Sequence, residues 1–434
     1  MTKAPVAPRT SKGGIKQNRE CRACGSTEME LVLDLGFTPL ANSFLPLSER
    51  GSEEPRYPLR VYFCQEDGHV QLTDVVPAED LFRDYIYVTS TSAMLRQHFA
   101  DMATDIVERQ GLKAGDLVVE IASNDGCLQK EFVKRGIRSL GVEPADNVAK
   151  MALDDGLEVV GEFFNLELAR QLREEYGPCR AIMGSNVMGH VDELVDFVQG
   201  LEHMLDEDGL VCFEVPHLLE RVRGGEFDTI YHEHLSYFSL RVIQRLFARA
   251  GLMLFDVQQM PVHGGTIRVY AKRAAAAPKI TTELNRLLWE EDEARLGSIE
   301  TLRTFAADVE NTKRELLTLL KDLKTQGKRI ASYGAAAKGN TLLNYFDIDT
   351  SLLDYIVDRA PLKQGKLTPG AQLEVFPVEK LMEDQPDYVL ILAWNFSEEI
   401  VKQQEEYQRN GGRFIIPLPT LRVVGEGSNE GAGR

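Results

Sequence analysis

Val118-Val119-Glu120-Ile121-Ala122-Ser123-Asn124-Asp125-Gly126-Cys127-Leu128 reads as an apolar strand that ends in an acid and passes through a glycine-containing turn into a helix. Turns of this kind let the backbone approach a ligand at the carboxyl end of a parallel sheet. The next strand, Leu140-Gly141-Val142-Glu143-Pro144, closes on a second acid, and a carboxylate there can accept hydrogen bonds from both ribose hydroxyls. Two strand-end acids separated by one helix describe a nucleoside site. Its expected lining is Glu120, Ala122, Asn124, Asp125, Gly126, Glu143 and Pro144, joined by Asn186 after a later strand.

A dinucleotide site would want Gly-x-Gly-x-x-Gly for the pyrophosphate. Only Gly126 of that pattern is present, and an anion is unwelcome beside Glu120. S-adenosylmethionine has no phosphate and carries a cationic sulfonium and ammonium, so the acid at residue 120 favours it over NAD.

Outward from this turn, apolar strands alternate with amphipathic helices: Leu117 to Ile121, Leu140 to Val142, Ala181 to Met183, Leu210 to Glu214, Met253 to Val257 and Ile267 to Ala271. That spacing predicts an open, mostly parallel α/β sheet over residues 78–275. A charged helical stretch follows, a linker over 276–325. A second strand and helix series, from Arg329 to Ile416, predicts a smaller doubly wound α/β domain over 326–422. Residues 19–77 hold short apolar runs broken by turns, a β-rich module too small to bury much core without a staple. Residues 1–18 and 423–434, polar and without periodicity, are expected to be tails.

The chain has 434 residues, 43% hydrophobic and 27% charged, which suits a multidomain globular protein and excludes disorder throughout, collagen and coiled coil. Its 49 basic and 67 acidic residues give a net charge of −18, which repels nucleic acid and anionic membranes at long range. No apolar segment is long enough to span a bilayer, and the N-terminus lacks a secretory segment. A soluble cytoplasmic protein is expected, without nucleic-acid or membrane partners.

Six cysteines are too few for a disulfide scaffold. Cys21-Arg22-Ala23-Cys24 has the spacing with which a tight turn offers two thiolates to one zinc ion. Cys64 is the obvious third ligand. For the fourth, Cys64-Gln65-Glu66-Asp67-Gly68-His69 offers Asp67 at the knuckle spacing or His69 two residues on. A closed set of four would be structural.

Tyr231-His232-Glu233-His234 is the densest ionisable cluster and follows the strand end Glu214-Val215-Pro216-His217. Histidine can abstract a proton near neutrality, tyrosine can donate to a developing enolate, and glutamate can orient an imidazole. His190, just after another strand, converges on the same place. In the last domain, Ser332-Tyr333-Gly334-Ala335-Ala336-Ala337-Lys338-Gly339-Asn340 leaves a strand and opens a helix, where backbone N–H groups and Lys338 can meet a phosphate; a tight packing turn explains it as well.

The motifs Cys-x-x-Cys, Glu-Ile-Ala-Ser-Asn-Asp-Gly, Tyr-His-Glu-His-Leu-Ser-Tyr-Phe (231–238), His263-Gly264-Gly265-Thr266-Ile267-Arg268 and Tyr333 to Asn340, in this order, resemble the S-adenosylmethionine-dependent sugar C-methyltransferases. Those enzymes methylate nucleotide-linked 4-keto-deoxysugars. The resemblance covers residues 20 to 420. It implies a zinc-binding N-terminal module, a central Rossmann-like methyltransferase domain and a C-terminal Rossmann-like domain. By position, His234 corresponds to the general base, with Tyr231, Glu233 and His190 around the sugar. His263, Arg268, Lys338, Asn340 and Asn395 are candidate substrate contacts. One departure stands out: the family's second zinc knuckle is Cys-x-x-Cys, whereas Asp67 occupies its last position here. Zinc is then held by Cys21, Cys24, Cys64 and one of Asp67 or His69, or is lost.

The implied reaction adds a methyl group to C3, in preference to C5, next to the C4 ketone of a nucleotide-linked 4-keto-6-deoxysugar, through an enolate. Two readings compete: an O- or N-methyltransferase acting on another small molecule, and a non-catalytic zinc-containing sugar-nucleotide binding protein. One chain is large enough for the whole site, so a monomer or weak homo-oligomer is expected.

Overall fold

Every residue of the strand Leu117–Ile121 is buried, as a strand covered by helices on both faces must be. It stands at the centre of a seven-stranded sheet. In chain order the strands are β1 (Leu117–Ile121), β2 (Arg138–Val142), β3 (Glu158–Val160), β4 (Cys179–Ser185), β5 (Leu205–Pro216), β6 (Leu252–Met260) and β7 (Thr266–Arg273). Across the sheet they lie in the order 3-2-1-4-5-7-6. β1 to β5 are mutually parallel and β7 is antiparallel to both its neighbours. The order reverses between β1 and β4, the switch point where open α/β sheets open a crevice at their carboxyl ends. The computed structural model describes residues 14–83, 85, 87–260, 262 and 264–425.

Alternation along the strands sorts the core into two layers. Val118, Ala181, Met183, Cys212 and Tyr270 pack with Phe99, Met102 and Ile106 of the helix Ala93–Gln110 and with Leu128 and Phe132 of the helix Cys127–Val133. Val119, Ile121, Ile182 and Phe213 pack with Leu172, Phe197, Ile243, Phe247 and Leu287 on the other face.

The N-terminal sheet is antiparallel, in the order Ser236–Tyr237, Val70–Leu72, Tyr57–Cys64, Met29–Thr38. Its outer strand therefore comes from the chain immediately after the Tyr-His-Glu-His cluster. Lys16–Gln17 pairs with Asp74–Val75, and the Lys16 ammonium reaches Asp192 at 2.7 Å, so ordered chain begins inside the stretch read as a tail.

The C-terminal sheet has six strands in the order Val375–Phe376, Ile356–Val357, Ile330–Tyr333, Tyr388–Ile391, Arg413–Ile416, Arg422–Val424, the first five parallel. Lys366–Leu367 pairs with Leu45–Pro46 of the N-terminal module. The helix Thr282–Glu293 buries Leu284, Leu287 and Leu288 in the core of the seven-stranded sheet. The helix Ile299–Thr325 buries Leu302, Val309, Leu316 and Leu320 in a core shared by the N- and C-terminal sheets. Among the described residues no helix is long and apolar enough to cross a membrane.

Candidate active site

The turn after β1 carries backbone strain. Ala122, Asn124 and, after β4, Asn186 all sit at positive φ (55°, 51° and 58°) without being glycine, and strain of this kind persists where surrounding structure over-determines it. Gly126 (φ +73°) suits its place, since a Cβ there would lie 2.1 Å from Leu157 Cδ1 and force that side chain to move. Glu143 accepts from the backbone N–H of Asn124 at 2.8 Å and of Ala145 at 2.9 Å, so the acid after β2 braces the turn after β1. The Pro144 carbonyl accepts from Arg83 at 3.2 Å.

Unpaired acceptors gather at this edge. Glu120 Oε2, Ser123 Oγ, Asp125 Oδ1 and Asn186 Oδ1 are buried without a hydrogen-bond partner. Burial, reinforced by Glu143 and Asp125, pushes the Glu120 carboxyl well above the ordinary carboxylate range. A buried set of acceptors around an acid suits a cationic, hydroxyl-bearing ligand and repels a phosphate. S-adenosylmethionine fits such a set, and Glu120 could meet its positive end and Glu143 its ribose.

The segment after Phe82 lies across the same edge. Thr89 N donates to Asn124 Oδ1 (3.0 Å), Ser90 N to Asp125 Oδ2 (3.2 Å), and Asn124 Nδ2 to the Tyr87 carbonyl (3.0 Å). Its aromatic rings then lead to the ionisable cluster: Phe82 stacks on His190 with centroids 5.2 Å apart, His190 lies 5.1 Å from His234, and Tyr231 lies 4.0 Å from His234. His190, Tyr231, Glu233 and His234 are thus brought together.

His234 Nδ1 lies 2.7 Å from the Thr229 carbonyl. A carbonyl only accepts, so Nδ1 carries a proton. Burial holds the His190 pKa down at about 4, leaving that imidazole neutral near neutrality. Burial also raises Tyr231 far above its usual range and so keeps its phenol a donor. Burial pushes Glu233 up to about 7, against hydrogen bonds from Asn42 and Tyr85 that draw it down. Neither Asn42 nor Tyr85 was identified from sequence, since neither belongs to a motif.

The other predicted substrate contacts are distributed differently. Arg268 is buried and donates through Nε to Glu214 at 2.8 Å; Glu214 also accepts from Ser185 Oγ at 2.8 Å and pairs with His98 at 2.9 Å. Burial alone would raise the Glu214 carboxyl, but His98 and Arg268 hold it at about 2. Asn340 Nδ2 donates to the Ala41 carbonyl at 2.7 Å. Lys338 bonds the Asn395 side chain and lies 4.4 Å over the Trp394 ring, whose Nε1 donates to Asp228 at 2.7 Å. His263 lies outside the described residues.

Ligand atoms of Cys21, Cys24, Cys64 and Asp67 all lie within 4.8 Å of one another. Cys24 Sγ is 3.6 Å from Cys64 Sγ, and Cys21 Sγ is 3.6 Å from Asp67 Oδ1. Tetrahedral zinc with bonds of roughly 2.3 Å to sulfur spaces its ligands at about this distance, so the set fits zinc. The His69 ring instead meets Ser236 Oγ at 3.1 Å, while its backbone N–H donates to Asp67 at 3.0 Å. Two arginines of the helix Leu240–Arg249 brace the knuckles: Arg249 donates to the carbonyls of Ala23 (2.8 Å) and Cys24 (3.0 Å), and Arg245 to that of Asp67 (2.9 Å).

Residues 21–82 match the family described as "Putative zinc binding domain", residues 94–257 "Methyltransferase domain", and residues 261–419 "C-methyltransferase C-terminal domain". The chain is 36% identical over 405 residues to the C-methyltransferase NovU of Streptomyces niveus, spanning 93% of this chain and 96% of that one. Among solved structures it is similar to the magnesium protoporphyrin IX methyltransferase of Synechocystis PCC 6803 with bound S-adenosylmethionine (13% identity, TM-score 0.32, 41% of this chain and 79% of that one). A second is an S-adenosylmethionine-dependent methyltransferase from Clostridium acetobutylicum (12% identity, TM-score 0.33, 41% and 91%). With its three parts matched in order and a curated relative aligned along nearly its whole length, the chain belongs to the S-adenosylmethionine-dependent C-methyltransferases.

Proposed function

We propose that the methyl acceptor is a carbon beside the ketone of a nucleotide-linked 4-keto-6-deoxysugar, C3 in preference to C5, and that methylation proceeds through an enolate. The observation that carries this reading is the gathering of three rings: Tyr231 lies 4.0 Å and His190 5.1 Å from His234, whose ring is oriented through Nδ1 by the Thr229 carbonyl. A ketone acidifies the hydrogen on the neighbouring carbon. His234 Nε2 removes that proton. The neutral Tyr231 phenol and His190 imidazole are donors suited to the enolate oxygen. S-adenosylmethionine, when bound, supplies an electrophilic methyl group. The strained turn at 122–126, Glu120 and Glu143 orient it, and the rings of Phe82, Tyr85 and Tyr87 help exclude water. Lys338, over the Trp394 ring and beside Glu226 and Asp228, is the cation suited to a phosphate at the nucleotide end of the substrate.

The test uses the full chain, zinc-loaded, with S-adenosylhomocysteine and a panel of nucleotide 4-keto-6-deoxysugars in D₂O. Mass spectrometry should show deuterium entering at a ring carbon beside the ketone. In His234→Ala this exchange should fall by about 10²–10⁴-fold, with homocysteine-nucleoside affinity within twofold of wild type. Exchange at the wild-type rate in that variant would sink the base assignment. No exchange with any sugar, with binding of the homocysteine nucleoside intact, would move the acceptor outside this class.

A further inference from the structure

The Glu233 carboxylate, buried at the centre of the cluster, takes one of its hydrogen bonds from outside the methyltransferase sheet: Asn42 Nδ2 donates to Glu233 Oε1 at 2.7 Å. Asn42 belongs to the N-terminal module, in the turn between the strands Met29–Thr38 and Leu45–Pro46. That turn is fixed from both sides. Internally, Ser43 N donates to the Leu40 carbonyl (3.1 Å) and Phe44 N to that of Asn42 (3.0 Å). From the C-terminal domain, Asn340, with 1% of its surface exposed, holds the carbonyl of Ala41, and Lys366–Leu367 pairs with Leu45–Pro46. We infer that Asn42 is a positioning residue for the Glu233 carboxylate, and that Asn340 holds Asn42 in place by gripping the residue before it.

The inference rests on the reading of Glu233 as part of the sugar site and assigns its orientation to the two flanking modules. A carboxylate with two fixed donors has one low-energy orientation, whereas one left with a single donor rotates and, being buried, reverts to its neutral form. Among the described residues, the titratable groups facing Glu233 are the phenols of Tyr85 and Tyr231, with the His190 and His234 rings bordering the same space. Both phenols are held neutral by burial, so the Asn42 amide and the Tyr85 hydroxyl are what favour the charged carboxylate.

The experiment titrates the full-length zinc-loaded protein carrying ¹³Cδ-glutamate, the Glu233 resonance being the one missing from Glu233→Gln. In wild type its midpoint should stand near 7. In Asn42→Ala it should rise by about one pH unit, a tenfold weaker hold on the ionised form. The near-isosteric Asn42→Asp should raise it further through like charge, and Asn340→Ala should raise it by less than Asn42→Ala. Zinc content and S-adenosylhomocysteine affinity should not move. An unchanged midpoint in both Asn42 variants overturns the inference. Deuterium exchange in Glu233→Gln separates the two readings: exchange at the wild-type rate removes Glu233 from the reaction, whereas slowed exchange with an unmoved midpoint in the Asn42 variants defeats the positioning role alone.

Discussion

Glu120 is a buried acid whose surroundings disfavour its charge. Burial and the nearby acids Glu143 and Asp125 raise its pKa, and an arriving ammonium or sulfonium would draw that pKa down again. Binding then releases a proton, and affinity rises with pH up to the raised pKa and levels off above it. Calorimetric titration with S-adenosylmethionine in two buffers of different ionisation enthalpy should show that release. Glu120→Gln should abolish it and weaken binding by about 1.5–3 kcal/mol, as expected for a lost charge-assisted hydrogen bond; proton release surviving in the variant would assign it to another group. The acid itself was legible because it ends an apolar run. Its raised pKa was not, since that follows from burial and from Glu143 and Asp125, brought beside it only by folding.

At the scale of elements, the turn from β1 into the helix Cys127–Val133 depends on one absent side chain. Gly126→Ala would place a methyl group against Leu157 and demand a left-handed backbone of an L-residue. Overpacking of this kind costs roughly 1–3 kcal/mol. S-adenosylhomocysteine affinity should fall at least tenfold while far-ultraviolet circular dichroism stays native. Unaltered affinity would show that the turn yields without disturbing the site. Six of the seven strands of this sheet were legible as apolar runs. The seventh, Glu158–Val160, has three residues at the sheet edge, none of them buried, and so offers no apolar pattern to read. Ser236–Tyr237 was hidden for another reason: its two residues sit in a polar, histidine-rich stretch, and only pairing with Val70–Leu72 makes them a strand. Among its described residues the segment after Phe82 forms only the short 3-10 turn Thr89–Thr91, and its hold on the turn after β1 runs through backbone N–H groups that almost any residue would supply.

In the whole molecule, the three matched regions share cores instead of merely touching. Leu33, Leu59 and Leu72 of the N-terminal sheet, Leu302 and Leu316 of the long helix and Ile330 and Leu390 of the C-terminal sheet belong to one cluster, while Cys21 and Cys64 pack with the seven-stranded sheet. Removing zinc with a chelator should therefore lower the midpoint of a single calorimetric unfolding transition. Loosening only an N-terminal piece would split the transition in two, with the upper one unmoved, and would contradict the shared core. Asp67→Ala should reproduce the loss and bind less than one equivalent of zinc by mass spectrometry under native conditions. The strand Ser236–Tyr237 carries a consequence for how the protein is made. On the ribosome, Val70–Leu72 emerges long before its partner and must wait, one edge unpaired, while more than a hundred and fifty further residues are translated. Nascent chains stalled within that interval should recruit chaperones at the N-terminal sheet, and that recruitment should cease once residue 237 has cleared the exit tunnel.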